Sequence, residues 1–210
     1  IKSDKVSEHM KSILPDCDLI VGTEEEVHIA AGTEDTLEAL RIIRKLSKAV
    51  IVLKRGPMGC VVYPDAMPDA LDKGIVGKGF PIEVYNVLGA GDGFMSGLLK
   101  GWLDDEPWPT ALKYANVCGA FAVSRHGCTP AYPSWEEMQF FLKRGIVNKA
   151  LRKDLSLEQV HWATNRRKVW GEVKAFAYDH RIQLEDLPGA TPDKIAAFKE
   201  LCLDATLAMA

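Results

Sequence analysis

The run NVLGAGDGFMSGLLKGWL, from Asn86 to Leu103, constrains the fold of this chain more than any other stretch. Glycines at 89, 91 and 93 and an aspartate at 92 stand directly ahead of an apolar helical pattern. Glycine costs backbone entropy and adds no packing. The run therefore either holds unusual backbone angles or lets something approach the main chain closely. Residues 82–85 read as a strand, so Gly89-Ala90-Gly91 leaves a strand and opens a helix. Free N–H groups then converge on one spot with the positive end of the helix dipole behind them. An anion, a phosphate above all, is the natural guest. Gly93, Gly97 and Gly101 recur every four residues and give the helix a smooth face, expected to pack on the sheet.

Asp92 is the sharper feature. A carboxylate at this tip would repel the phosphate beside it. It reads as a base that accepts a proton from an attacking hydroxyl, kept ionised by the helix dipole. Phosphoryl transfer tolerates a weak base, because positioning and charge stabilisation supply most of the catalysis. The bland reading is a dipole partner in the first turn, common in helices. Two other phosphate motifs fail. GxxxxGK[ST] is absent, and Phe94 and Met95 stand where a third glycine of GxGxxG could fall, which argues against a dinucleotide fold.

Apolar runs and helical patterns alternate along the chain. Strands are expected at 18–21, 49–53, 60–63 and 82–85, with a Pro/Asp/Gly-rich excursion over 64–79. A helix follows Thr33 with Leu37, Leu40, Ile43 and Leu46 on one stripe, another covers 110–124, and a third starts at Ser134 in a capping box with Glu137. The alternation predicts an α/β fold with a largely parallel sheet. The stretch 143–168 is polar, helical in pattern and a plausible linker. A new strand is expected at 173–178, and Thr191-Pro192 caps a helix striped by Ile195, Phe198, Leu201, Cys202 and Ala205. One strand and one helix cannot close a core, so 173–210 reads as the start of an uncompleted second domain. With Ile1 at its head and Ala210 ending in mid-pattern, the chain reads as a piece of a longer protein.

The net charge of -3 gives no electrostatic case for nucleic acid or membrane binding. Five scattered cysteines without CxxC spacing suggest neither a disulfide framework nor a zinc site and fit a reducing cytoplasm. His126 and Cys128 read as loop residues, His28 and His161 as surface or packing residues. Lys54 and Arg55 fit phosphate contacts and a solvated pair equally well.

GAGDGFMSGLL resembles the second signature of the ribokinase-like (PfkB) sugar kinases, and accessory segments follow in order. DLIVGTEEEVHIAAG is similar to that family's N-x-x-E region, VIVLKRGPMGCVVY to its nucleotide turn, and YANVCGAFAVSRHGCTPAYPSWEEMQFFL to its closing helices. The resemblance implies the C-terminal part of a ribokinase-like three-layer α/β/α sandwich over 1–148, a linker over 149–172 and, over 173–210, the first βα unit of an incomplete TIM-barrel-like domain similar to class I aldolases. It implies ATP and Mg2+ as cofactors and a small sugar-acid substrate, with similarity to kinases of 5-dehydro-2-deoxygluconate; the alternatives are a kinase of 2-keto-3-deoxygluconate or fructose, or a non-catalytic remnant that binds nucleotide. A homo-oligomer is compatible with it. By this resemblance Asp92 is the catalytic base, the Gly89, Ala90 and Gly91 amides form the anion hole, and Glu26 organises Mg2+. Gly56 and Gly59 then lie in the nucleotide turn, and Asn116 lies near the adenine pocket. The sequence departs from the family at Thr23, where N-x-x-E has asparagine, and at Asn86-Val87, where Asp-Thr is usual.

Overall fold

Short apolar runs bounded by turns form the strands, and amphipathic stripes form the helices around them. The computed structural model describes residues 4–67, 69–165 and 176–208. It divides into two units, Ile1–Arg166 and Arg167–Ala210.

In the first unit, helix α1 (Asp4–Ile13) leads to β1 (Leu19–Thr23), α2 (Glu24–Ala31), α3 (Thr36–Leu46), β2 (Val50–Lys54) and β3 (Cys60–Tyr63). There follow β4 (Ile75–Gly77), α4 (Ala90–Leu103), α5 (Trp108–Ser124), α6 (Trp135–Arg144) and α7 (Leu155–Asn165). The sheet order is β1-β2-β3-β4. Strands β1 and β2 are parallel, from Leu19↔Val50 to Thr23↔Lys54. The β2–β3 and β3–β4 pairs are antiparallel, which corrects the largely parallel sheet expected. Residues 55–59 are too few for the crossover that parallel strands need, so β2 and β3 form a hairpin.

Side-chain alternation builds three layers. Ile51, Leu53, Val61 and Tyr63 pack with Leu40 and Ile43 on one face of the sheet. Val52, Cys60 and Val62 pack with Phe94, Leu98, Leu112 and Ala115 on the other. A further cluster joins Val117, Phe121, Phe141, Leu151 and Leu157, so residues 151–157, within the expected linker, pack into this unit.

Several expectations change. Residues 82–85 form no strand, because their main chain bonds elsewhere: Glu83 N–H donates to Lys149 C=O, and Tyr85 and Asn86 N–H both donate to Val123 C=O. The last strand instead lies inside the Pro/Asp/Gly-rich excursion. The smooth face of α4 meets α5 rather than the sheet. A Cβ added at Gly97 would lie 2.4 Å from Tyr114 O, and one at Gly101 2.5 Å from Ala111 Cα. Helix α3 is capped by Asp35, which accepts from Glu38 N–H at 2.7 Å, and not by Thr33. Ser134 caps α6, but the Glu137 side chain does not reach back to it, so only half of that box forms.

The second unit contains α8 (Ile182–Glu185) and α9 (Pro192–Ala208). The Thr191 hydroxyl accepts from Lys194 N–H at the start of α9, as expected. Of the expected strand 173–178, residues 173–175 lie outside the described residues, and 176–178 form no strand pairing. Of the α9 stripe, Cys202 is buried, whereas Phe198 and Leu201 are exposed.

Candidate active site

The tip of α4 carries the site. Gly89 is its N-cap, with φ 77 in the left-handed region that favours glycine. A Cβ there would lie 2.9 Å from Cys128 Cβ and 3.0 Å from the Tyr132 hydroxyl. The Gly89 carbonyl accepts from Gly93 N–H at 2.8 Å and from the Tyr132 hydroxyl at 2.9 Å. Ala90 N–H lies 3.2 Å from Val87 C=O, whereas Gly91 and Asp92 N–H have no acceptor among the described residues. The Ala90 amide expected in the anion hole is thus taken by Val87, and the open amides at the start of α4 are those of Gly91 and Asp92. Asp92 is exposed. Burial and the Asp92 carboxylate push the Tyr132 phenol up.

Asn86 fixes the approach to this tip. Its Oδ1 accepts from Leu88 N–H at 3.1 Å, and its Nδ2 donates to Gly127 C=O at 3.0 Å. Asn86 therefore clamps the loop before the helix to the loop after α5.

Parallel pairing aligns the ends of β1 and β2, and a second cluster forms there. Thr23 and Glu26 make a reciprocal capping box, with Thr23 N–H donating to Glu26 Oε2 at 2.6 Å. Lys54 Nζ lies 3.4 Å from the same oxygen. Burial works against ionisation of Glu26, but the Thr23 N–H and the Lys54 ammonium outweigh it and hold the carboxyl below the usual range. A Cβ added at Gly91 would lie 3.6 Å from Lys54 Nζ. Lys54 therefore links Glu26 to Gly91 at the α4 tip.

The other expected residues are placed differently. Gly56 and Gly59 have φ 55 and 87 and close the turn between β2 and β3, where Gly59 N–H donates to Gly56 C=O. A Cβ at Gly59 would lie 2.0 Å from Gly77 O, so the close approach of β4 already demands glycine there. Asn116 is buried and donates to Leu112 C=O at 2.8 Å and Cys60 Sγ at 3.3 Å. It braces α5 against β3. His28 bonds Thr36, His126 meets Tyr85 edge to face, and His161 bonds Glu137. Tyr132 escaped sequence reasoning because nothing in its neighbours announces a contact across the fold. Lys54 gave the signal of a cation at a strand end.

The metal question turns on Glu26. No group of three or more His, Cys, Asp or Glu able to hold a metal ion occurs among the described residues. Mg2+ is commonly held by one or two carboxylates together with substrate phosphates and water. A lone Glu26 near the open amides of the α4 tip suits that mode, and among the described residues only its Oε2 is engaged.

Residues 2–135 match the profile described as pfkB family carbohydrate kinase. The chain belongs to this family. Residues 137–210 match a second profile, described as an uncharacterized protein conserved in bacteria (DUF2090). Over 141 residues the chain is 27% identical to 5-dehydro-2-deoxygluconokinase of Geobacillus kaustophilus, covering 65% of this chain and 41% of that protein. It is 33% identical over 135 residues to a probable fructokinase-7 of Arabidopsis thaliana, covering 60% and 38%. A putative ribokinase II from E. coli in complex with ATP and Mg2+ aligns with a TM-score of 0.58 at 25% identity, over 66% of this chain and 43% of that one. The chain thus spans about two fifths of the length of these relatives. The ribokinase-like α/β fold expected from the GAGD run is the fold observed.

Proposed function

We propose that this PfkB chain supplies the nucleotide-binding part of an ATP-dependent kinase that phosphorylates a hydroxyl of 5-dehydro-2-deoxygluconate. The observation that carries the reading is the Lys54 ammonium between Glu26 and the α4 tip, beside open amides and an exposed Asp92. The Gly91 and Asp92 amides hold the charge of the transferring phosphoryl group, and Lys54 draws its oxygens toward the tip. Asp92 accepts the proton of the attacking hydroxyl. Mg2+, when bound, neutralises phosphate charge, and Glu26 is the residue that would help hold it. Gly56 and Gly59 shape the nucleotide turn, and Asn116 acts from behind as a brace for the adenine side. No helix among the described residues is long and apolar enough to cross a membrane, in keeping with a cytoplasmic enzyme of sugar-acid catabolism. Fructose is the second reading for the substrate, favoured by the fructokinase relative.

Titration of the chain with ATP and Mg2+ tests the nucleotide site. Lys54→Met weakens ATP binding about tenfold, the scale of one charge-assisted contact, and Asp92→Asn leaves it unchanged. In a full-length kinase carrying this chain, Asp92→Asn lowers turnover on 5-dehydro-2-deoxygluconate by about 10² to 10⁴, the contribution of a general base. Turnover that survives Asp92→Asn overturns the assignment of Asp92. Turnover on fructose alone overturns the substrate.

A further inference from the structure

We infer that Tyr132 is a positioning residue for phosphoryl transfer. Its hydroxyl holds the start of α4 by the Gly89 carbonyl, so the Gly91 and Asp92 N–H groups stay open to phosphoryl oxygens. The inference rests on the kinase reading above and adds a residue to it.

A helix start is ordinarily held by the side chain of its N-cap residue, which accepts from the N–H of the second or third helical residue. Helices α2, α3 and α6 are built this way: Thr23, Asp35 and Ser134 accept from the N–H groups of Glu26, Glu38 and Glu137. The same device in α4 would consume the N–H of Gly91 or Asp92, the second and third residues of that helix. The α4 N-cap is glycine and makes no side-chain bond. The two amides are left open, but the first turn then lacks the bond that would fix its direction.

Tyr132 supplies that bond from the opposite side. Its hydroxyl donates to Gly89 C=O at 2.9 Å, alongside Gly93 N–H at 2.8 Å. A carbonyl oxygen has two lone pairs, so it takes both donors and no N–H is spent. The ring extends the contact, since a Cβ added at Gly93 would lie 3.1 Å from Tyr132 Cε1. Tyr132 thus touches the first turn at both of its ends. Its own backbone is fixed locally. Pro133 confines the residue before it to the extended region, and Tyr132 has φ -69 and ψ 142. Its N–H donates to Thr129 C=O at 3.2 Å, closing a turn over Thr129–Ala131 in which Ala131 is buried. The raised phenol keeps its proton, so the hydroxyl remains a donor.

Tyr132→Phe, in a full-length kinase carrying this chain, keeps the ring and deletes only the hydroxyl. Release of the first turn lowers kcat about tenfold, since a displacement of about 1 Å near the chemistry costs up to about 10² in rate. KM for ATP stays within about twofold, the split expected of an interaction that works in the transition state. On the chain itself, the Gly91 and Asp92 N–H resonances move in the variant, and those of Gly97 and Gly101 stay. An unchanged kcat in Tyr132→Phe, beside turnover lost in Asp92→Asn, overturns this inference and leaves the kinase reading standing. A raised KM at unchanged kcat does the same. Turnover that survives Asp92→Asn removes the kinase reading and this inference with it. Nuclear Overhauser contacts from the Tyr132 ring to the α-protons of Gly89 and Gly93 check the arrangement in the unaltered chain without any substitution, and their absence overturns it.

Discussion

Gly97 and Gly119 lie in neighbouring helices, and the same substitution to alanine should have opposite effects on stability at the two positions. Alanine is favoured over glycine inside a helix by about 1 kcal/mol. At Gly119 the new Cβ would meet Phe94 Cβ at 3.7 Å and Ala90 O at 3.8 Å, ordinary contacts that displace nothing. Gly119→Ala therefore keeps most of that gain. At Gly97 the Cβ would lie 2.4 Å from Tyr114 O, 2.6 Å from Tyr114 C and 2.8 Å from Ala115 N. All three are main-chain atoms of α5 and cannot rotate away, so the helices must part by roughly 1 Å to restore ordinary contact. Overpacking of this kind costs typically about 1–3 kcal/mol. The spreading also opens the seam along α4, so the cost falls in the upper part of that range. The clash wins, and Gly97→Ala is less stable by about 1–2 kcal/mol. With a urea m-value of about 2 kcal/mol/M, its midpoint falls by about 0.5–1 M, while that of Gly119→Ala rises by up to about 0.5 M. Urea denaturation followed by far-UV circular dichroism reads both. A Gly97→Ala midpoint at or above that of the unaltered chain would refute the close-packed seam.

Glu137→Ala leaves the buried Arg125 guanidinium without its carboxylate, and loss of one partner of a buried pair costs about 3–5 kcal/mol. The same urea experiment checks it: adding Arg125→Met should recover part of the loss, and a cost under about 1 kcal/mol contradicts the pairing. The lowered Glu26 carboxyl contributes stability that is present above its ordinary value of 4.5 and is lost as pH falls through its lower folded value. The stability difference between the unaltered chain and Glu26→Gln is then constant above pH 5 and shrinks in acid, as denaturation at a series of pH values would measure. Burial pushes the Cys60 and Cys118 thiols up to about 11, and Cys202 is buried. Cys17 and Cys128 should react quickly with a thiol reagent at pH 8 and the other three only on unfolding; mass mapping of rapidly labelled Cys60 or Cys118 would contradict this.

The sequence exposed what is local. Leu19–Thr23, Val50–Lys54 and Cys60–Tyr63 are apolar runs with turn signals on either side, and they are strands. The 3.6-residue stripe of α3 was equally plain, as were the Ser134 and Thr191 caps. What stayed hidden depends on partners distant in the chain. Strand β4 is a three-residue edge in a glycine-rich stretch, defined by pairing with β3 rather than by its own pattern. Residues 82–85 have a strand's composition, but Glu83 N–H goes to Lys149 and Tyr85 N–H to Val123. Glu137 has the spacing of a capping box, yet the Arg125 guanidinium and His161 take its carboxylate. In the candidate site, Asp92 and the glycine turn were legible because glycine there answers a local backbone demand. At Gly59 the close approach of β4 requires glycine, a demand that the local pattern did not announce.

The Tyr132 hydroxyl on the Gly89 carbonyl, together with the Asn86 amide on Gly127, has a consequence for how signatures of this kind are used. The cradle is spelled by a dozen consecutive letters but propped open by a loop some forty positions downstream. A synthetic peptide copying 86–103 would preserve every letter and lose the shape. Graft the motif onto another scaffold without its props, and it becomes only a flexible helix start.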